Sequence, residues 1–165
     1  MKNQVIIAVI LLSILLSGCG VYTSKATANI CDDECQQERD DYIRQTSGFL
    51  VQAQEITVKV EDWKTVTKEN LQAMIALKNQ VSALSIPKDF DMAHDYYERA
   101  FNNYVNAIDY VVDANEQYNL VSDTANVQSR NVIMSQVINN VKEANKLLIY
   151  ADEEIKFATR IVSKT

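Results

Sequence analysis

The sequence predicts an all-α protein, an elongated antiparallel bundle of three long helices. After residue 30 the chain holds one glycine, Gly48, and one proline, Pro87, although strands and tight hairpins depend on such residues. Three long stretches also repeat apolar residues every seven positions, which places them on one face of a helix that packs against its neighbours. A four-helix bundle with a turn near residue 65 is the alternative.

The N-terminal stretch ends in a short motif. An apolar run over residues 5–16 follows a positive charge and is too short for a dependable membrane span. It leads into Leu16, Ser17, Gly18 and Cys19, where two small residues precede a cysteine. This motif resembles the lipobox of prokaryotic lipoproteins. The resemblance implies that a signal peptidase recognises the first three residues and that Cys19 receives lipid.

The same resemblance divides the start of the chain into two segments. Residues 1–18 are expected to be a removed signal peptide. Acylated Cys19 would then hold the protein to membrane lipid on the extracytoplasmic side of the cell membrane or envelope, because two or three acyl chains anchor firmly where one binds reversibly. Residues 19–31 hold the cysteine and a flexible tether, since little of this segment is apolar.

Cys31 and Cys35 are the cysteines that remain once Cys19 is lipidated. An oxidising compartment permits a disulfide between them. Cβ atoms four residues apart on a regular helix converge poorly, so this bond requires a turn or a distorted helix start. Free or intermolecular thiols and a metal site are the alternatives. Four-ligand spacing for a metal is absent, and we expect no metal.

Within the predicted bundle, residues 32–165, the first helix is expected over residues 33–85. The run Thr65-Val66-Thr67 is its weak point, because β-branched residues have low helix propensity. The heptad register nevertheless continues through it, and Asn70, on a core column, is interpreted as a buried amide that fixes helix pairing. The two columns are Tyr42, Phe49, Ile56, Trp63, Asn70, Leu77 and Leu84, and Thr46, Ala53, Val60, Thr67, Met74 and Val81.

The second and third helices are predicted over residues 89–119 and 123–163. Both alternate large side chains with alanines at heptad spacing, which allows neighbouring backbones to approach closely. The first helix is the longest of the three. We therefore expect its polar start to form a stalk at the membrane side, with the turn at Pro87 at the far end.

Turn residues separate these helices. Pro87 disfavours helical dihedrals at the residue before it, and Asp89 is the predicted N-cap of the second helix. The next turn has neither glycine nor proline, so a left-handed cap at Asn119 and an N-cap at Ser122 or Asp123 are predicted.

The first turn also carries a weak resemblance. Its pattern is similar to one in small helical lipoproteins of bacteria and archaea with no established activity. This implies a helical ectodomain and says nothing about a substrate. The pattern consists of Leu84, Ile86, Pro87, Phe90, Ala93 and His94.

The composition argues against several functions. A formal net charge of −6 disfavours nucleic acid as a partner. His94 is the only histidine, and together with Asp91 it makes at most one copy of a ligand motif that a diiron bundle needs twice, with two further carboxylates. We therefore interpret His94 as a partly buried structural residue and expect neither a cofactor nor enzymatic activity.

Two function classes remain. The first is a non-enzymatic protein-interaction or envelope-structural module. Its candidate partner surface is Ile149, Tyr150 and Phe157, apolar residues that the heptad assignment places outside the core.

The alternative is a small-ligand binding or sensing bundle. It would have a pocket among the tyrosines of the core columns, Tyr97, Tyr104 and Tyr118, beside Trp63.

Overall fold

A computed structural model of the chain describes residues 31–164. Leu16, Ser17, Gly18, Cys19 and the tether up to residue 30 lie outside the described residues. The described part is all-helical, as predicted, with four α-helices and no strand within residues 31–164. These are α1 (Asp33–Thr57), α2 (Lys68–Ser82), α3 (Asp91–Asp123) and α4 (Val127–Val162), and a 3₁₀ helix over Val58–Thr65 lies between α1 and α2. No helix of this described part is long and apolar enough to cross a membrane.

The single helix predicted over residues 33–85 is corrected to two α-helices with a break between them. The chain tightens into the 3₁₀ helix after Thr57, and Asp62 leaves helical geometry with φ −106° and ψ 65°. Val66 and Thr67 are then extended, with φ −77°, ψ 130° and φ −123°, ψ 170°. The first α-helix therefore ends at Thr57, and a second α-helix begins at Lys68.

Contacts with α3 explain this break. The Val66 side chain is fully buried. Asn115 of α3 donates hydrogen bonds from Nδ2 to the carbonyl oxygens of Lys64 and Val66, at 3.1 and 3.0 Å. These bonds give partners to carbonyl groups that the interrupted helix leaves free. The β-branched run at residues 65–67 thus takes the extended geometry that its propensity favours.

Asn70 has a different role from the predicted one. It is half-buried and occupies the third position of α2, where its Oδ1 accepts a hydrogen bond from the backbone N–H of Thr67 at 3.0 Å. This is part of a capping box at the start of a helix, which satisfies a backbone donor that has no partner within the helix. Asn70 therefore begins a helix rather than fixing a pairing.

The core is organised around α3. Its most extensive contact is with α4, and α2 packs against it next. Nearly all the apolar members of the predicted heptad columns on α1 and α2 are buried or half-buried. The largest fully buried side chains are Tyr42, Phe90, Phe101, Met74, Ile108, Val66, Val81, Val111 and Val137.

Contacts at the two ends of α3 locate the other elements. Near its start, Tyr42 of α1 packs on Phe90, with ring centroids 5.4 Å apart. Near its end, Lys68 pairs with Glu116 at 2.6 Å. The turn that contains Pro87 therefore lies beside the first part of α1, and its predicted place at the opposite end is wrong.

The predicted caps differ from the observed ones. Asp89 does not cap α3, because Phe90 holds the N-cap position and Asp89 instead forms an ion pair with Arg39 of α1. Residues 119, 122 and 123 remain helical. The N-cap of α4 is Asn126, whose Oδ1 accepts hydrogen bonds from the backbone N–H groups of Gln128 and Ser129, at 2.8 and 3.2 Å.

Candidate interaction surface

The three residues predicted as a partner surface lie on the exposed side of α4. Ile149, Tyr150 and Phe157 are 59%, 45% and 49% exposed. Their neighbours Ala151 and Ala158 are fully buried against α3. The helix therefore turns its small residues toward the core and leaves these larger side chains outside it.

The structure extends this surface onto α3. The Tyr96 ring stacks on Phe157 with centroids 5.5 Å apart and an angle of 26° between the rings. Met92, one helical turn before Tyr96, is 62% exposed. Met92, Tyr96, Ile149, Tyr150 and Phe157 are called the aromatic surface below. The sequence prediction missed Tyr96 and Met92. Both lie outside the two core columns of their helix, and they are four residues apart, so their side chains share one non-core face; this was a usable signal of an apolar surface.

A cation lies close to each ring of the aromatic surface. The Arg99 guanidinium carbon is 4.2 Å from the Tyr96 centroid. Lys146 Nζ is 6.0 Å from the Tyr150 centroid, and the Arg160 guanidinium carbon is 5.8 Å from that of Phe157. Such contacts hold long cationic side chains against the ring faces.

Carboxylates balance part of this positive charge. Arg99 pairs with Glu154 at 3.3 Å, and Lys146 pairs with Glu143 at 3.4 Å. The surface is therefore aromatic and locally mixed in charge. Protein interfaces are enriched in aromatic residues, methionine and arginine, so this composition is typical of a protein-binding patch.

The core tyrosines of the small-ligand hypothesis are closely packed. Tyr97 and Tyr104 are 5% and 7% exposed. Tyr104 Oη donates a hydrogen bond to Asp152 Oδ1 of α4 at 3.0 Å, and burial raises the pKa of both groups. Tyr118 packs edge-on against Trp63, with centroids 5.3 Å apart. These rings fill space between helices.

His94 is a buried structural contact between α1 and α3. It is 4% exposed, and its Nδ1 lies 3.1 Å from Tyr42 Oη. Its Nε2 lies 3.8 Å from Glu98 Oε1. Burial raises the pKa of Tyr42, so this phenol stays protonated and can donate to the ring nitrogen.

The remaining predicted sites concern the cysteines and metals. Cys31 and Cys35 are each disulfide-bonded in the structure, so neither is a free thiol there. No group of three or more His, Cys, Asp or Glu within residues 31–164 could hold a metal ion.

One open pocket lies where α2 begins beside α3. Its volume is about 270 Å³, and its lining includes Thr67, Lys68, Asn115 and Glu116. Two of the lining residues, Lys68 and Glu116, form an ion pair. The core tyrosines do not line it.

Comparison of this chain with protein-family models, curated proteins and solved structures found no match.

Proposed function

We propose that this chain is a lipid-anchored extracytoplasmic protein that binds another protein through its aromatic surface and has no catalytic role. The observation that carries the proposal is the stack of Tyr96 and Phe157, which joins two helices and combines a half-buried Tyr96 with a Phe157 that is 49% exposed. Single exposed apolar residues are normal on a monomer. A cluster of rings with adjacent cations is the composition of an interaction site.

The anchoring part of the proposal comes from the motif that ends in Cys19. Lipid on this cysteine would tether the helical domain from its first residue, Asp33. The net charge of −6 disfavours electrostatic attraction to anionic lipid headgroups, so the acyl chains would supply the attachment.

We further propose that the four helices form an up-down-up-down bundle, the alternative from the sequence, rather than the three-helix bundle expected first. Tyr42 of α1 contacts His94 near the start of α3, whereas Lys64 contacts Tyr118 near its end. α1 thus runs in the same direction as α3. Lys68 at the start of α2 pairs with Glu116, so α2 returns along α3.

This arrangement changes which end of the domain would approach the membrane. The start of α1, the turn at Pro87 and the last part of α4 share one end, because Phe90 contacts Tyr42 and Phe157 contacts Tyr96. The tether would enter at this end. The aromatic surface would then lie on the membrane-proximal half, where it could meet another envelope protein.

The small-ligand alternative finds less support. It requires space among the core tyrosines, and the near-complete burial of Tyr97 and Tyr104 in contact with neighbouring helices argues against such space. We therefore retain the interaction function alone.

The test is the double substitution Tyr150→Ser with Phe157→Ser. We expect association, measured by light scattering and by crosslinking in the cell envelope, to be lost while helical content stays unchanged. Removing the Tyr96 stack should cost only about 0.5–1.5 kcal/mol of unfolding free energy.

The matched control is Val132→Ser with Ile138→Ser, two apolar residues of the same helix that are 56% and 49% exposed. This control should keep the association. If the Tyr150 and Phe157 substitutions instead cost several kcal/mol, the rings belong to the core and the proposal fails. Equal loss of association in the control would also contradict it.

A further inference from the structure

The heptad register of α1 continues into α2 across the break. Ile56 is buried before the break, Val60 within it, and Met74 and Leu77 after it, all on the two columns of the predicted single helix. Steps of seven residues connect these positions, as they would in one uninterrupted helix. The same apolar stripe therefore suits two structures: the observed one, in which α1 and α2 are separated by the break, and one in which a single straight helix covers both α1 and α2.

The segment at residues 58–67 has no residue that forbids a helix, although its β-branched residues at 65–67 favour extended geometry. It contains neither glycine nor proline. Its 3₁₀ helix consists of two short pieces that meet at a kink, and a 3₁₀ stretch between helical segments often marks a hinge. Asp62 alone departs from helical geometry inside it, and Val58 is 52% exposed.

Of the three helices that pack against α3, α1 has the least extensive contact with it. Its attachment there depends on Tyr42 against Phe90 and His94 and on the Arg39–Asp89 ion pair. By contrast, α3 and α4 share the largest helix contact, and α2 packs on the same α3. Helix α1 also packs against α2, more extensively than against α3. If α1 leaves while α2 to α4 stay together, Tyr42, Leu50 and Ile56 therefore need a new apolar surface to cover them.

We propose that two copies of this chain exchange α1. Residues 58–67 straighten, α1 and α2 become one continuous helix, and each α1 packs against α3 of the second copy. Tyr42 then meets His94 of the second copy in place of its own, so every contact of α1 is remade between chains. Exchange of an identical element is a low-cost route to a dimer. The inference rests on the up-down-up-down arrangement proposed above.

The bonds at the break set the balance between the two forms. Straightening loses the Asn115 hydrogen bonds to Lys64 and Val66 and the Thr67–Asn70 cap. It gains regular helical hydrogen bonds across residues 58–67. Changes confined to this segment should therefore move the monomer–dimer equilibrium without touching the core.

Lys68→Pro is the decisive variant. Residue 68 is the first of α2, where proline is tolerated, and Thr67 already has the extended geometry that a following proline requires. In the interior of a continuous helix the same ring breaks the path, so we expect the dimer to weaken by at least about a hundredfold. Lys68→Ala is the control, because it removes the Glu116 ion pair without adding a ring.

The converse variant is Thr65→Ala with Thr67→Ala. Alanine favours helix over threonine, and the second change removes a side chain of the capping box. We expect the dimer to strengthen by about tenfold or more.

The experiment uses the full-length chain in detergent, with monomer and dimer separated by size-exclusion chromatography and spin labels at Gln52→Cys and Ser82→Cys. One labelled copy is diluted into unlabelled protein. The distance expected is below about 25 Å in the monomer, because neighbouring helix axes lie about 10 Å apart. In the exchanged dimer it is about 45 Å, from thirty residues at about 1.5 Å each.

Each outcome then has one meaning. A dimer with the short distance, or equal dimerisation of Lys68→Pro and Lys68→Ala, overturns the exchange. So does a Thr65→Ala/Thr67→Ala variant that stays monomeric at millimolar concentration. A long distance in the monomer overturns the up-down-up-down arrangement itself, and loss of dimer in Lys68→Pro with a long distance in the wild-type dimer supports the exchange.

Discussion

Single polar side chains connect the helices inside the core. Tyr104 of α3 donates to Asp152 of α4, and Tyr97 interacts with Thr46 of α1 and Thr159 of α4. A buried hydroxyl without a partner costs about 1–3 kcal/mol, so these contacts restrict which helices can pack together. The polar groups thus add specificity to a core whose remaining contacts are mainly apolar.

Asp152 provides a prediction at this scale. Burial raises its pKa, so the folded state binds this proton more tightly than the unfolded state does. The stability from this group is complete at acidic pH and is lost as pH rises through the raised pKa. Asp152→Asn keeps an oxygen that can accept from Tyr104 and removes the charge. We expect it to gain up to about 1 kcal/mol relative to wild type at pH 7, with less gain at acidic pH.

Urea unfolding followed by circular dichroism at neutral and acidic pH measures this difference. Glu153→Gln is the control, because Glu153 is exposed on the same helix. It should show no such pH dependence. An Asp152→Asn effect that is the same at both pH values would contradict the prediction.

At the scale of elements, the turn between α3 and α4 closes without glycine or proline. No residue within residues 31–164, glycine included, has a positive φ. Arg130 instead donates from its side chain to the carbonyl oxygens of Thr124 and Ala125, and Asn126 caps the helix that follows. Side-chain hydrogen bonds therefore satisfy the backbone groups that the two helix ends leave free.

The cap can be tested by Asn126→Ala. Loss of the hydrogen bonds to Gln128 and Ser129 should cost about 1 kcal/mol and lower the melting temperature by a few degrees. Ser122→Ala is the control, because Ser122 lies inside α3 and donates to the Asn119 carbonyl oxygen. It should change stability by less than about 0.5 kcal/mol. If it costs as much as Asn126→Ala, α4 does not begin at Val127.

At the scale of the whole molecule, the helical domain is distinct from the proposed anchor. Residues 33–164 form one compact unit with its own core, and no helix among them could span a membrane. The anchor proposed above is Cys19, the cysteine of the lipobox-like motif.

Cys19→Ser tests that anchor. We expect the variant to move from the membrane fraction to the soluble or uncleaved pool, since the acyl chains would have no thiol to join. Mass spectrometry of the wild-type N-terminus should find lipidated Cys19 as the first residue. An unmodified N-terminus that begins elsewhere would end the lipoprotein hypothesis.

Much of the fold could be predicted because heptad spacing reports burial directly. The columns through α1 and α2 identified core residues such as Tyr42, Met74 and Leu77, and Pro87 marked a turn correctly. The exposed position of Tyr150 and Phe157 also agrees with the column to which they were assigned. The spacing of apolar residues determines which side of a helix is apolar, and this spacing can be read without knowing which helix packs against that side.

The β-branched run at residues 65–67 was a weak point in the sequence, but tertiary structure decided that the helix breaks there. A heptad pattern specifies a buried face but not the helix that covers it, so a reversal that keeps the register leaves no trace in the periodicity. The contacts that stabilise the break, Asn115 with the Lys64 and Val66 carbonyl groups, join residues about fifty positions apart. The stack of Tyr96 on Phe157 likewise exists only because α3 and α4 are packed side by side. The sequence alone determined what is buried, and the packing of α3 determined where the chain breaks and which rings remain together at the surface.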